Sequence, residues 1–174
     1  MFVFLATLGL ATPSYTIATK PAVSLEPIDV LASQMSAFAD GKRDTLETVW
    51  AFVDEDGPLA AAHRSSAGAR ARFVQVCHRE PRWQHIGGRP LAALPRVYKW
   101  EVLSRLERSE YCTLIRVRAK PFFPDAPTAD AEVVFVWTFV KMHDSTGMNR
   151  NGDLEDCWLV HDIEPDWGGW TVFV

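Results

Sequence analysis

The sequence has little that would connect it with nucleic acid, a membrane or a disulfide scaffold. Eighteen Lys and Arg residues are outnumbered by 22 Asp and Glu, which gives a formal net charge of −4. A global basic field for nucleic acid is therefore excluded. The three cysteines form no CxxC pattern, and any pairing leaves one over, so a disulfide framework is not expected. No apolar run reaches the roughly 20 residues that a membrane-spanning helix needs.

Motifs for phosphate binding, calcium binding and covalent catalysis are also missing. The stretch "HIGGRP" has too few glycines for a phosphate loop and no Lys-Ser after them. Ser65-Ser66 lacks a nucleophile-elbow context. The polar stretch "NRNGDLED" from residue 149 starts like a calcium loop, but Leu154 stands where such a loop needs Gly. We therefore expect no metal and no cofactor.

Aromatic side chains are abundant for a chain of this size. Its 174 residues are 48% hydrophobic and include seven Trp, which predicts one globular domain with a thick aromatic core. A filled core is the structural interpretation of these rings. The functional interpretation is an aromatic-lined pocket for a small apolar ligand, and its candidate ligand-binding residues are Trp50, Trp100, Trp137 and Phe139.

The chain begins with the apolar stretch "MFVFLATLGLA", followed by polar and Pro-containing residues. Its length suits the hydrophobic region of a secretory signal, although no Lys or Arg precedes it. We therefore assign residues 1–20 to an apolar leader or targeting remnant, and residues 21–174 to a single domain with an apolar C-terminal tail. The apolar start favours secretion or import into an organelle over a cytosolic location.

Hydrophobic spacing divides the domain into helices followed by strands. The segment "SLEPIDVLASQMSAFADGK" has apolar residues three and four apart. It predicts a first helix that is capped by Ser24 and ends at Gly41. Helical patterns continue to about residue 80, and the next helix is expected to end at Gly57. After Pro95 the period changes to two, which predicts strands joined by hairpins. This order indicates an α+β fold with N-terminal helices packed on a mainly antiparallel sheet.

The last predicted hairpin carries a histidine on each strand. Asn151-Gly152 is its turn signal, and His143 and His161 lie in the flanking strands. In one register the two histidines stand opposite each other, as a metal site or an acid–base pair requires. A two-residue turn would instead put them on opposite faces, and the sequence leaves both registers open. Alternatively, His161 or Asp162 alone is the candidate general base.

Two features of the sequence suit a partner protein. Arg70 and Arg72 belong to the arginine cluster of "HRSSAGARARF", which fits an acidic patch or an anionic ligand as well as a solvated helix face. The C-terminal stretch "EPDWGGWTVFV" is apolar after Asp166. Its Trp167 and Trp170 suit anchors in a partner's pocket, and docking on the protein's own domain is the alternative.

Several of these segments resemble the NTF2-like superfamily, which includes the SnoaL and ketosteroid-isomerase-like proteins. They are the strand "AEVVFVWTFVKMHD", the Asn-Gly loop and the closing "CWLVHDIEP". Within the superfamily, "SQMSAFADGKRDTLETVWAFV" and the end segment 156–164 look most like DUF4864-type proteins. The resemblance covers roughly residues 26–166. It implies a cone, in which a strongly curved sheet folds around helices and leaves an opening that can become a pocket.

The resemblance also implies two kinds of function. Isomerases of the superfamily use a Tyr and two acidic residues inside the cone; Tyr98 and Tyr111 are available here, but no pair of acids matches by position. Other members bind only partners or subunits, and some belong to photosynthetic lineages, for which a chloroplast location is expected. We therefore predict a non-catalytic domain that binds a protein partner, a second copy of itself or a small ligand, as an accessory or assembly subunit. The alternative is a cofactor-independent isomerase or lyase, with His161 or Asp162 as base and Tyr98 or Tyr111 as hydrogen-bond donor.

Overall fold

A computed structural model of the protein describes residues 15–78, 90–122, 132–142 and 154–166. Within these residues the chain forms helices first and strands afterwards, which confirms the predicted α+β class. The helices are α1 Pro27–Asp40, α2 Arg43–Ala51, α3 Pro58–Ala62, α4 Ala69–His78 and the 3₁₀ helix Pro90–Arg96. The strands are β1 Val97–Ser109, β2 Cys112–Pro121, β3 Val133–Lys141 and β4 Trp158–Pro165.

The boundaries of α1 follow from its local sequence. Gly41 ends the helix with φ 64°, a left-handed conformation that glycine adopts without strain, so the predicted end is confirmed. The predicted N-cap was wrong. Pro27 occupies the first helical position, which proline favours because its missing N–H would be unpaired there anyway. The N-cap is therefore Glu26 rather than Ser24.

Helix α2 is shorter than its apolar stripe predicts. It stops at Ala51 instead of continuing to Gly57, because the following residues hydrogen-bond to β4. The N–H of Val160 donates to the carbonyl of Phe52 at 2.7 Å, and the N–H of Asp54 donates to the carbonyl of Val160 at 2.9 Å. Contacts with a distant strand thus replace the last predicted helical turn.

The four described strands form one antiparallel sheet in the order β1-β2-β3-β4, and this sheet is not closed. Side chains alternate cleanly along β2, with every second residue buried, as a strand with one covered face requires. On that covered face Ile115 stands opposite Trp137, and Val117 stands opposite Phe135. The edge strand β1 differs from β2, because most of its residues are exposed on both faces.

The covered face of the sheet and the helices share one hydrophobic core. Its largest fully buried side chains are Trp137, Phe38, Phe52, Phe73, Phe135 and Phe139. Within the residues that the structure describes, no helix is both long enough and apolar enough to cross a bilayer.

The register of the β3–β4 pair differs from both registers that the sequence leaves open. Those registers would put Lys141 opposite Asp162 or Ile163, whereas Lys141 stands opposite Trp158. Both were therefore wrong. The pairing also shifts between Thr138 and Phe139, a β-bulge that leaves His161 without a partner on β3. His143 and the Asn151-Gly152 turn lie outside the described residues.

Candidate functional site

A histidine–aspartate pair lies where the segment after α2 meets β4. Nδ1 of His161 is 2.8 Å from Oδ2 of Asp54. The Asp54 residue is only 8% exposed, while about a third of the His161 side chain is exposed. An ionised carboxylate can only accept hydrogen bonds, so Nδ1 carries the proton in this contact. Nε2 is then the ring nitrogen left to accept a proton from another molecule.

The backbone around Asp54 fixes the position of its carboxylate. Its Oδ1 accepts the N–H of Asp56 at 3.1 Å, which forms a local turn of the kind that Asp favours. The backbone N–H of Asp54 is bound to Val160, as described above, and the carbonyl of Asp54 accepts the N–H of Gly57 at 3.0 Å. The carboxylate is therefore held on both sides, and it orients the imidazole of His161.

The imidazole reaches Asp54 because of the β-bulge and a nearby glycine. Bulges commonly redirect a side chain out of the regular alternation of a strand, and here His161 is the extra residue. A Cβ atom at Gly57 would lie 2.7 Å from the carbonyl oxygen of His161 and 3.0 Å from its Nδ1. Only a residue without a side chain permits this approach.

The other proposed catalytic residues do not join this pair. Asp162 stands opposite Thr138, and its Oδ1 accepts the adjacent N–H of Ile163 at 2.9 Å. Tyr98 is 61% exposed on β1, the edge strand three places from β4, which is about 14 Å at the usual strand spacing. Tyr111 lies in the turn between β1 and β2 and is also exposed; a hydrogen bond and charge repulsion from Glu110 raise its pKa.

Asp54 is the residue that the sequence interpretation missed. It belongs to "AFVDEDG", a stretch that reads as the end of an amphipathic helix. Its partner lies 107 positions away, and no local spacing rule links residues at that distance. The only local signal is the sequence Asp-Glu-Asp-Gly at residues 54–57, which favours a turn.

The four proposed ligand-binding aromatic residues lie in different surroundings. Trp50, Trp137 and Phe139 belong to the core and are at most 5% exposed. The indole N–H of Trp137 donates to Oε1 of the fully buried Gln34 at 3.0 Å. Trp100 is partly buried at the rim, where its ring centroid lies 5.6 Å from that of Tyr15.

The proposed partner-binding arginines lie beside two adjoining cavities on the outer side of α2 and α4. One cavity is about 480 Å³ and is lined by Arg43, Ser65, Ala67, Ala71, Arg72, Val74, Gln75 and His78. The other is about 560 Å³, shares Arg43, Ala67, Ala71 and Val74 with the first, and extends to Glu47, Trp50, Glu55 and Arg70. We call the two together the α2–α4 groove. Trp167 and Trp170 lie outside the described residues.

The charges along the α2–α4 groove are uneven. Arg70 is paired with Glu47 at 2.7 Å, whereas Arg72 donates to the neutral side-chain oxygen of Gln75 at 3.1 Å. Arg43 has no ion pair with any other described residue.

Groups of three or more metal-ligating side chains are absent from the described residues.

A scan against protein-family models, a search of curated proteins and a search of solved structures each found no match for this chain.

Proposed function

We propose that the protein is a non-catalytic binding domain, an accessory or assembly subunit that binds its partner or ligand on the outer surface of its helices. The observation that carries this proposal is the packing between helices and sheet. The inner-face residues Phe135, Trp137 and Phe139 are completely buried, and helix residues Phe38 and Phe73 pack into the same core.

Binding inside the fold would need open space at this place. Ligand pockets usually occupy about 300–1,000 Å³, and the cavities of that size described above lie on the outer side of α2 and α4. The inner aromatic side chains instead contact one another; the rings of Phe135 and Trp137 meet edge to face at 5.7 Å. Their arrangement supports a structural role for these rings and a binding role for the helical surface.

The proposal can be tested by mapping where small molecules bind. We would titrate the isotope-labelled protein with a fragment library and follow backbone and indole N–H signals by NMR. Binding fragments should shift signals of α2 and α4 and leave the indole N–H of Trp137 unchanged. Ala71→Arg, which fills a position lining both cavities, should abolish these shifts. Ala61→Arg, at an exposed helical position outside both cavities, is the matched control. Fragments that shift Trp137 and Gln34 instead would contradict the proposal.

We further propose that the sheet belongs to an NTF2-like cone, as the sequence resemblance implies. The helices-then-strands order and the antiparallel sheet support this assignment. An experimental structure of the full chain tests it directly. A sheet that stays flat and open, rather than curving around α1, would rule out the cone.

A cofactor-independent isomerase or lyase is the second candidate, and the Asp54–His161 pair favours it. A histidine oriented by a buried carboxylate is a common arrangement for a general base. The test is proton exchange into a panel of enolisable ketones in D₂O, followed by NMR. If His161 is the base, His161→Gln should slow exchange by roughly 10²–10⁴-fold. Exchange at the background rate in both proteins would exclude this activity for the panel.

A further inference from the structure

We infer that the α2–α4 groove binds a short acidic peptide segment of a partner protein. A carboxylate of the peptide contacts the basic end of the groove, and an apolar side chain of the peptide packs over Val74 and Trp50. This inference rests on the proposed binding function and adds the chemistry of the partner. Three features of the groove support it: its charges, its shape and the position of Arg43 at the start of α2.

The end of the groove formed by the smaller cavity is basic. Its lining includes Arg43, Arg72 and His78, and no carboxylate is among the described residues that line it. The two arginine charges are not neutralised, since Arg43 has no ion pair with a described residue and Arg72 bonds a neutral amide. The protein as a whole carries a net charge of −4. A local positive site on a negative molecule selects an anionic group by complementarity.

The other end of the groove is apolar at its floor and balanced in charge. Trp50, Ala60 and Val74 line it, and the Arg70–Glu47 ion pair lies at its side. The other charged residues that line this end are Arg43 and Glu55, so its two arginines and two carboxylates balance, and an apolar side chain can pack on the floor between them. The two ends together define a ligand that is acidic at one position and hydrophobic at the next.

The position of Arg43 is unfavourable for the helix itself. It is the first residue of α2 and follows Lys42, the N-cap. The N-terminal end of a helix carries a partial positive charge, so a cation there destabilises the helix by about 0.3–1 kcal/mol. Helix stability therefore does not account for an unpaired arginine at this place, whereas contact with an anionic partner does.

The shape of the groove favours a peptide over an enclosed small molecule. Small-molecule sites usually bury most of their ligand, but Ala67, Ala71 and Arg43 are exposed along this groove. The nine residues of α2 span about 13 Å at the usual helical rise. An extended chain of about four residues covers this length, which is enough for one acidic and one apolar anchor.

The test uses a displayed library of random 12-residue peptides selected on the full-length protein. We expect the recovered peptides to carry Asp or Glu next to a large apolar residue. The strongest of them, synthesised with a fluorescent label, should bind in solution by anisotropy and lose roughly tenfold or more in affinity with Arg43→Glu or Arg72→Glu. Arg108→Glu, the same charge change at an exposed position on β1, should leave affinity unchanged.

Arg43→Glu also separates lost binding from lost folding. Because it places an acid at the N-terminus of α2, it should keep or raise the unfolding midpoint while it weakens peptide binding. Recovery of peptides without acidic residues, or no recovery, overturns the inference. So does equal binding by the Arg43→Glu and Arg108→Glu variants. If the recovered peptides shift NMR signals of another outer surface, the proposed binding function stands and the inference about this groove is wrong. If they shift the signals of Trp137, both proposals fail.

Discussion

His161 and Asp54 lie 107 positions apart in the chain, and their side chains meet with 2.8 Å between Nδ1 and Oδ2. The contact joins the bulge of β4 to the segment that leaves α2. Two backbone hydrogen bonds between Val160 and residues 52 and 54 accompany it. This junction holds the helical layer against the last strand, independently of any chemistry at Nε2.

Replacement of Asp54 by Ala should destabilise the protein by about 2 kcal/mol. It removes the partner of His161 and leaves the N–H of Asp56 without its acceptor, and hydrogen bonds to charged groups contribute about 1.5–3 kcal/mol. Asp54→Asn should cost less, because the amide oxygen can still accept from Asp56. The free energy of unfolding, from urea denaturation followed by circular dichroism, checks both values.

A double-mutant cycle isolates the pair itself. Asp54→Ala and His161→Ala together should cost less than the sum of the single changes, by about 0.5–1.5 kcal/mol. Strict additivity would show that the 2.8 Å contact contributes nothing to stability in solution.

Gly57→Ala should destabilise the protein by about 1–3 kcal/mol, as overpacking at a tight contact does. The new Cβ would lie 2.7 Å from the carbonyl oxygen of His161, and backbone atoms cannot move away as a flexible side chain would. The unfolding free energy and the NMR signals of the His161 ring should both change.

Gly68→Ala separates this crowding from backbone strain. Gly68 has φ 89°, but no atom of the described residues lies within 4 Å of a Cβ added there. Its substitution should cost about 1–2 kcal/mol through the backbone alone and leave the His161 signals unchanged. Equal effects on His161 in the two variants would mean that the close approach at Gly57 is not the cause.

Elements of secondary structure were predictable where one local rule decides them. Gly41 ends α1 because the left-handed conformation suits glycine, and β2 alternates as its sequence does. The end of α2 was not predictable, since residues 52–54 form hydrogen bonds with β4, and a helical pattern contains no information about a strand more than 100 residues away.

The candidate site was only half predictable for the same reason. His161 stands out in the sequence because it follows an apolar strand pattern and precedes an Asp. In one strand register its partner would be His143, and the alternative was that His161 or Asp162 acts alone as the base. The β-bulge changed this outcome, because one extra residue on β4 shifts the register between Thr138 and Phe139 and directs the imidazole to Asp54.

Gln34 and Trp137 should show a coupling free energy of about 1–2 kcal/mol. Gln34 is fully buried; it accepts the indole N–H of Trp137 at 3.0 Å and donates to the carbonyl of Val49 at 3.3 Å. Gln34→Leu leaves the indole donor buried without an acceptor, which costs about 1–3 kcal/mol. In the Gln34→Leu/Trp137→Phe double variant that donor is absent, so the combined loss should be smaller than the sum. Urea unfolding of the four proteins gives the coupling directly, and a value near zero would refute the buried hydrogen bond.

Cys77 should make the protein less stable as the pH rises above 9. The thiol is 2% exposed on α4, and burial raises its pKa from 9.0 to about 12. Between these values the unfolded chain loses the proton while the folded protein keeps it. The unfolded state therefore binds fewer protons, and the free energy of unfolding falls with pH by at most about 1.4 kcal/mol per unit. Below pH 9 the thiol is neutral in both states and contributes no slope.

Tyrosine and lysine side chains titrate in the same range, so the measurement is the difference in slope between wild type and Cys77→Ala. The variant should be less stable at pH 7, because it leaves a small cavity, yet lose less stability between pH 9 and 10.5. Parallel curves for the two proteins would mean that the Cys77 thiol ionises as readily in the folded protein as in the unfolded chain.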